Sequence, residues 1–370
     1  MVSLNKGCKR LQKLRRTARS MALGKQANEK SIKLANEITI FDVANEARVS
    51  YATVSRVINN KDHVSAEKRE RVLRAMAKLG YVVNMQARSL AGGSSHVVGL
   101  LVNYVSSDYV VEILRGIDAA LQANQYDLVM YSAHTQYSKE STYVTRLTRH
   151  LADGLLLVLP QQTQTYLDTL HQRRFPHVLV DYLSDGEQAP SVATTNFRGA
   201  YEATAHLLQL GHRRIGLITG DLETGCARQR LEGYKAALKD YHVLADPQLI
   251  YNGLFFQPQG YQGAHHLLGL PDPPTAIFAC NDHMAFGVME AARERGLHLP
   301  EDLSVVGFDD IPQASYVHPA LTTVCQPLEE MGRSAAQLLL KYITHPDAEI
   351  ERIELPTRLI IRESCQTFSS

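Results

Sequence analysis

From residue 38 onward, apolar positions recur with helical spacing in three short stretches. Ile40, Val43, Ala44 and Ala47 form one face of a helix whose start carries Thr39 and Asp42, the spacing of a capping box. Arg48 and Val49 break it, and Ser50 can cap a second helix over 51–58. That helix turns Val54, Val57 and Ile58 inward and leaves Tyr51, Ala52, Ser55 and Arg56 outward. A third helix is predicted from the cap Ser65 through 66–79, with Val72, Met76 and Leu79 inside and Gly80 as its stop. Three short helices around a tight turn have the layout of a helix-turn-helix. The next stretch, 84–91, is helix-capable and runs into Gly92, Gly93, Ser94 and Ser95, a linker composition.

Beyond Ser95 the texture changes to apolar strands alternating with helices. Strands are predicted at 97–102, 127–132, 154–159, 177–181, 215–219, 249–252, 275–280 and 304–308, with a last strand pattern over 355–362. Apolar strands separated by helices indicate doubly wound parallel sheets buried on both faces. The eight strands read as two sets of four, parted by a long connection through 196–210, so two similar subdomains are expected. Ligands of such sheets lie outside the carboxyl ends of the strands, which places a small-molecule cleft between the subdomains. The longest apolar runs span six residues, against roughly 18 for a membrane helix.

The net charge of +1 over 370 residues hides a division. Residues 1–95 hold 19 Lys and Arg against 7 Asp and Glu, whereas the rest holds 20 against 31. A basic front end on an acidic body suggests an anionic partner met by one domain. Most of that excess lies in residues 1–37, with 10 basic and 2 acidic residues, so charge alone does not establish nucleic-acid binding. That segment reads as a basic, disordered extension without the apolar core of a secretion signal, and Met21 inside it is a candidate start. The five cysteines are scattered with no CxxC pair, as in a reduced, cytoplasmic protein without a metal site. No GxSxG, HExxH or GxxxxGK[ST] motif occurs, and the adjacent pairs His265-His266 and Asp309-Asp310 point apart on a helix, so no enzymatic role or cofactor is expected.

The order of these residues resembles one family closely. TIFDVA at 39–44, VSYATVSRVIN at 49–59, Val64-Ser65, Gly80-Tyr81 and NMQARSL at 84–90 match the DNA-binding domain and hinge of LacI/GalR bacterial repressors. ADG at 152–154, GHRRI at 211–215, RLEGY at 230–234, NDHMA at 281–285, VVGFDD at 305–310 and PALTT at 319–323 match the family's effector core, a periplasmic-binding-protein-like pair of subdomains. The resemblance covers residues 38–363 and implies a helix-turn-helix domain (38–83), a hinge helix and linker (84–95) and an effector-binding, dimerising core (96–370).

The resemblance implies that Tyr51, Ala52 and Arg56 read bases in the major groove, Arg56 by two hydrogen bonds to guanine. It implies phosphate contacts from Ser50, Thr53, Ser55, Asn59, His63 and Ser65, although an isolated Ser or Thr here is equally well a helix cap. The hinge would bring Asn84, Ala87, Arg88 and Leu90 to the minor groove, with Leu90 as an apolar wedge. Arg48 stands where many helix-turn-helices have Gly, and Val83 where many relatives have Pro. In the core, Asp181, Arg230, Asn281 and Asp309 match effector-contacting positions. Tyr109 is a candidate stacking aromatic and Asn196 a weaker polar candidate. Asp282 and Asp310 read as helix caps, and Phe278 and Phe308 as core.

The expected activity is therefore that of a cytoplasmic homodimer that binds a near-palindromic double-stranded operator and releases it on binding a small molecule. Paired carboxylate and amide acceptors favour a sugar; a purine corepressor is the alternative ligand. The competing function, a sugar-binding protein of a transport system, predicts a signal peptide and no helix-turn-helix. The absence of a leucine-heptad tail favours a dimer over a tetramer.

Overall fold

In the computed structural model, residues 38–58, 63–81, 94–102, 108–133, 140–148, 151–160, 164–182 and 189–368 are described. The candidates Asn59, Asn84, Ala87, Arg88 and Leu90, and the extension 1–37, lie outside them. The chain divides into two compact units, Met1–Gly93 and Ser94–Ser370.

The first unit contains helices α1 (Ile40–Ala47), α2 (Tyr51–Ile58) and α3 (Ala66–Leu79). Its core is small: Val43, Ala44, Ala47, Val54, Val57, Val72 and Ala75. Helix α1 starts as its spacing predicts, with the Thr39 N–H donating to Asp42 Oδ2 at 2.7 Å. It stops at Arg48, which adopts a left-handed conformation (φ 51°, ψ 48°). A non-glycine residue there costs about 1–2 kcal/mol, and α3 supplies a compensating clamp. Arg71 Nε donates to the Ala47 carbonyl at 3.1 Å, and its Nη2 donates to the Ala47 and Arg48 carbonyls at 2.5 and 2.9 Å. These are carbonyls that a helix terminus leaves without partners.

The second unit is two doubly wound lobes. In chain order it contains β1 (Val97–Val102), α4 (Asp108–Ala123), β2 (Asp127–Ser132), α5 (Glu140–Thr148), β3 (Gly154–Val158), α6 (Gln164–Gln172), β4 (His177–Val180) and β5 (Ser191–Thr194). Then follow α7 (Asn196–Gln209), β6 (Ile215–Thr219), α8 (Gly225–Asp240), β7 (Ile250–Asn252), α9 (Gln257–Leu267), β8 (Ala276–Ala279), α10 (Asp282–Glu294) and β9 (Ser304–Asp309). The chain closes with β10 (Thr322–Cys325), α11 (Leu328–Thr344), β11 (Arg352–Leu355) and β12 (Arg358–Ile360). One sheet has the order β11-β5-β4-β3-β1-β2 and the other β12-β10-β9-β8-β6-β7. Among the described strands, all pairings are parallel except β10 with β12.

Three expectations are corrected. Each sheet has six strands rather than four, because β5, β10 and β11 are short and rich in Ser, Thr and charge. The stretch 196–210 is a helix packed in the second lobe, not a long connection. The terminal pattern over 355–362 is not one strand: Leu355 ends β11 in the first sheet, and β12 begins at Arg358 in the second. The chain therefore crosses between lobes three times, after β5, after β10 and after β11. Helix α11 returns to pack Leu328, Met331, Ala335, Ala336 and Leu339 into the first lobe's core.

Candidate functional site

At the carboxyl ends of both sheets, polar side chains from the two lobes meet in one buried network. Asp181 follows β4, Asn196 opens α7 after β5, Arg230 lies on α8, Asn281 follows β8, and Asp309 ends β9. With Tyr109 on α4, all six of the expected effector positions are at most 6% exposed.

Arg230 is the centre. Its Nε donates to Asn196 Oδ1 at 2.8 Å, and its Nη1 donates to the Cys280 carbonyl. Nη1 lies 3.7 Å from Asp309 Oδ1, and Nη2 lies 4.0 Å from Asp181 Oδ2. The guanidinium stands 3.8 Å above the Phe308 ring centroid and 5.7 Å from that of Phe255. Asn196 Nδ2 in turn donates to Asp181 Oδ1 at 3.1 Å, and the Tyr109 hydroxyl donates to Asp181 Oδ2 at 2.8 Å. Gln326 Nε2 donates to Asp309 Oδ1 at 2.7 Å, while its Oε1 accepts from the Thr194 hydroxyl at 2.6 Å. Burying this many charges is tolerable only because each polar group meets another.

The electrostatics follow from burial. Burial pushes the Asp309 carboxyl up to about 7, against the pull of Arg230 and the Gln326 amide. Burial, reinforced by Asp181, holds the Tyr109 hydroxyl well above its usual value, so it remains a proton donor. The neighbouring Cys226 and Cys280 thiols are pushed up to about 12 by burial and stay protonated. The backbone is strained at three of the acids: Asp181, Asp309 and Asp310 have φ of 52°, 118° and 60°. Asp tolerates this region better than most residues, and such strain collects at ligand sites.

Several expected roles change. Tyr109, expected as a stacking ring, also carries the hydroxyl that fixes Asp181. Asn196 is no minor candidate, since it bridges Asp181 and Arg230. The helix cap is Asn281 rather than Asp282: its side chain accepts the Met284 N–H at 2.9 Å and donates to the Phe255 carbonyl at 3.0 Å. Asp282 is fully buried, taking the Ile311 N–H at 2.9 Å and the Thr323 hydroxyl. Asp310 caps nothing and pairs with Arg362 at 2.6 Å. Phe308 is buried as expected, yet its face carries Arg230.

Sequence reasoning missed Gln326, Thr194 and Phe255. Gln326 and Thr194 sit where the chain crosses between lobes, which only the topology reveals. Phe255 is held in a left-handed conformation (φ 69°) with its ring against Gly220, where any Cβ would meet the ring at 1.9 Å.

In the first unit, Tyr51, Ala52 and Arg56 are exposed on α2. Ser50 acts as the α2 cap, accepting the Thr53 N–H at 3.2 Å and sharing a hydrogen bond with the Thr53 hydroxyl at 2.9 Å. Ser65 accepts the Lys68 N–H at 3.5 Å, and His63 is exposed before it at φ 75°.

Family models match at both ends of the chain: bacterial regulatory proteins of the lacI family at residues 39–84, and a periplasmic binding protein-like domain at 204–365. The ribose operon repressor of Haemophilus influenzae is 35% identical over 326 residues, 88% of this chain and 98% of that protein. The chain belongs to the LacI family. As a member it is a sequence-specific, DNA-binding transcriptional repressor. The repressor PurR of Haemophilus influenzae is also 35% identical, over 89% of this chain and 99% of its own length. Among solved structures, the lac repressor dimer bound to operator and the anti-inducer ONPF aligns with a TM-score of 0.78 at 30% identity. That alignment covers 89% of this chain and 99% of the lac repressor chain. Among the described residues no helix is long and apolar enough to cross a membrane, and no group of three or more His, Cys, Asp or Glu is placed to hold a metal ion.

Proposed function

We propose that this repressor binds a near-palindromic operator as a homodimer and is released from it by a sugar held between the two lobes. The observation that carries this reading is the buried network joining the lobes through Arg230. Two carboxylates, two carboxamides, a phenol and a guanidinium converge there, with Phe255 and Phe308 beside them. Sugar hydroxyls both donate and accept, and such a mixed set can satisfy each of them. Asp181 and Tyr109 would hold the ligand from the first lobe, and Asn196, Arg230, Asn281 and Asp309 from the second. A purine would use the aromatic faces and donate ring N–H or amino groups to the carboxylates, but it carries fewer groups that both donate and accept than a sugar does.

With every group this buried, a ligand enters only after the lobes part about their three crossings. A sugar that favours one lobe angle shifts the equilibrium toward it. Strand β1 begins within a few residues of the linker, so a tilt of the first sheet is passed to the hinge segment before it. On the operator, Tyr51, Ala52 and Arg56 would read bases. Ser50, Thr53, Ser55, Asn59, His63 and Ser65 would set register on phosphates, and Asn84, Ala87, Arg88 and Leu90 would enter the minor groove.

A thermal-shift screen of monosaccharides, disaccharides and purine bases tests the ligand class, followed by gel shifts on a duplex selected from a random library. A sugar is expected to raise the melting temperature, because ligand at about 100 times its Kd adds roughly 2.7 kcal/mol, and to weaken DNA binding. A purine that tightens DNA binding, with no response to sugars, defeats the proposal. Leu90→Ala is expected to weaken operator binding strongly while sparing the sugar response; unchanged operator affinity removes the wedge role.

A further inference from the structure

Phe41 occupies an odd place. It is the second residue of α1, it is 62% exposed, and it is absent from the small apolar core of its unit. Its neighbours Val43 and Ala44 supply the packing, and nothing about folding three helices asks for an aromatic ring in water at that position. The ring instead lies against Tyr51, the first residue of α2, with centroids 5.2 Å apart and planes inclined by 21°. Tyr51 is itself 44% exposed. An exposed tyrosine ordinarily samples several rotamers; a ring stacked on one face leaves it few. Phenylalanine has no hydrogen-bonding group, so Phe41 cannot itself hold a phosphate or read a base edge by hydrogen bonds.

We propose that Phe41 is a positioning residue that preorganises Tyr51 for base recognition by stacking on its ring. The inference rests on the reading that Tyr51 contacts bases. Holding a side chain in its bound rotamer removes an ordering cost from binding, and an offset aromatic pair supplies the holding force. The capping of α1 by Thr39 and Asp42, and of α2 by Ser50, fixes the two backbones from which the rings project. Loss of the stack is expected to act at the base pair that Tyr51 reads. Loss of a phosphate contact, by contrast, weakens binding to all sequences alike.

The test uses the full chain and a duplex selected from a randomised library by the wild-type protein. Affinities are measured for Phe41→Ala, Phe41→Leu, Phe41→Tyr, Tyr51→Ala and the double variant Phe41→Ala/Tyr51→Ala, with thermal melts of each. The expected result is a roughly three- to tenfold loss for the Ala and Leu variants and retention with Tyr, which keeps the ring. No further loss is expected when Phe41→Ala is added to Tyr51→Ala, and the thermal melts show every variant folded at the assay temperature. Phe41→Ala and Tyr51→Ala should relax preference at the same base pair. If Tyr51→Ala costs nothing, the base-reading role itself falls and the stack with it. If Tyr51→Ala is costly but Phe41→Ala is silent, or costs the same with and without Tyr51, positioning is overturned while base reading stands.

Discussion

Arg48 holds α1's last carbonyls near Arg71 by accepting a left-handed backbone that its side chain disfavours. Arg48→Gly is expected to stabilise the first unit by about 0.5–1 kcal/mol, the relief of strain exceeding glycine's extra chain entropy. A chemical melt of residues 38–81 within the full chain, followed by tyrosine signal or hydrogen exchange, checks it. Arg230 is the opposite case, a residue whose removal strands its partners. Arg230→Met leaves Asp181 and Asp309 buried without their cation and is expected to cost about 3–5 kcal/mol, along with the sugar response; a melting temperature within a degree of wild type contradicts this. Asp309 sets a pH dependence. Its folded carboxyl, raised by burial to about 7, holds its proton more tightly than in the unfolded chain. Its stabilising contribution is therefore complete below about pH 4 and lost as pH rises through 7. His177, lowered by burial to about 4, works the other way, losing stability as pH falls below about 6.5. The melting temperature of wild type relative to Asp309→Asn should fall between pH 5 and 8, and a flat difference counts against the raised carboxyl.

At the scale of elements, the contact that most constrains the first lobe is α4 against α11. A Cβ on Gly116 would meet the Glu329 carbonyl at 1.8 Å, and one on Gly332 the Ile113 carbonyl at 2.0 Å. Because both obstacles are backbone, Gly332→Ala must push the helices apart and is expected to cost on the order of 1–3 kcal/mol, read as a lowered denaturation midpoint of the core. Periodicity exposed most elements. The apolar runs of β1, β3 and β6 and the capped helices α1 to α3 stood out because their local chemistry agrees with their tertiary role. Strands β5, β10 and β11 did not, since Ser191–Thr194 and Thr322–Cys325 carry polar residues that become strands only by pairing between neighbours already in the sheet. Asn281 and Asp282 show the same limit: either could cap α10, and the choice depended on Ile311 and Thr323 arriving from elsewhere to claim Asp282.

For the whole molecule, the proposed action of a ligand rests on the three chain crossings. Rearrangement within one lobe is resisted by close packing, so the proposed ligand response is a change in the angle between lobes. The proposed dimer should scatter light with twice the chain mass at micromolar concentration; a mass of four chains, or of one, departs from it. Residue order by itself determined the helix-turn-helix, the two-lobed α/β class and the family, and it singled out Asp181, Arg230 and Asp309, which the structure brings into one buried network, and Asn281, which caps α10. These were legible because helix caps, apolar periods and strand-end acids are local signals. Tertiary structure alone decided that Tyr109 buttresses Asp181, that Asn196 bridges to Arg230, and that Gln326 and Thr194 join the network from the crossings. Those contacts link residues as many as 132 positions apart, and a hydrogen bond across such a separation exists only once both lobes have folded and met.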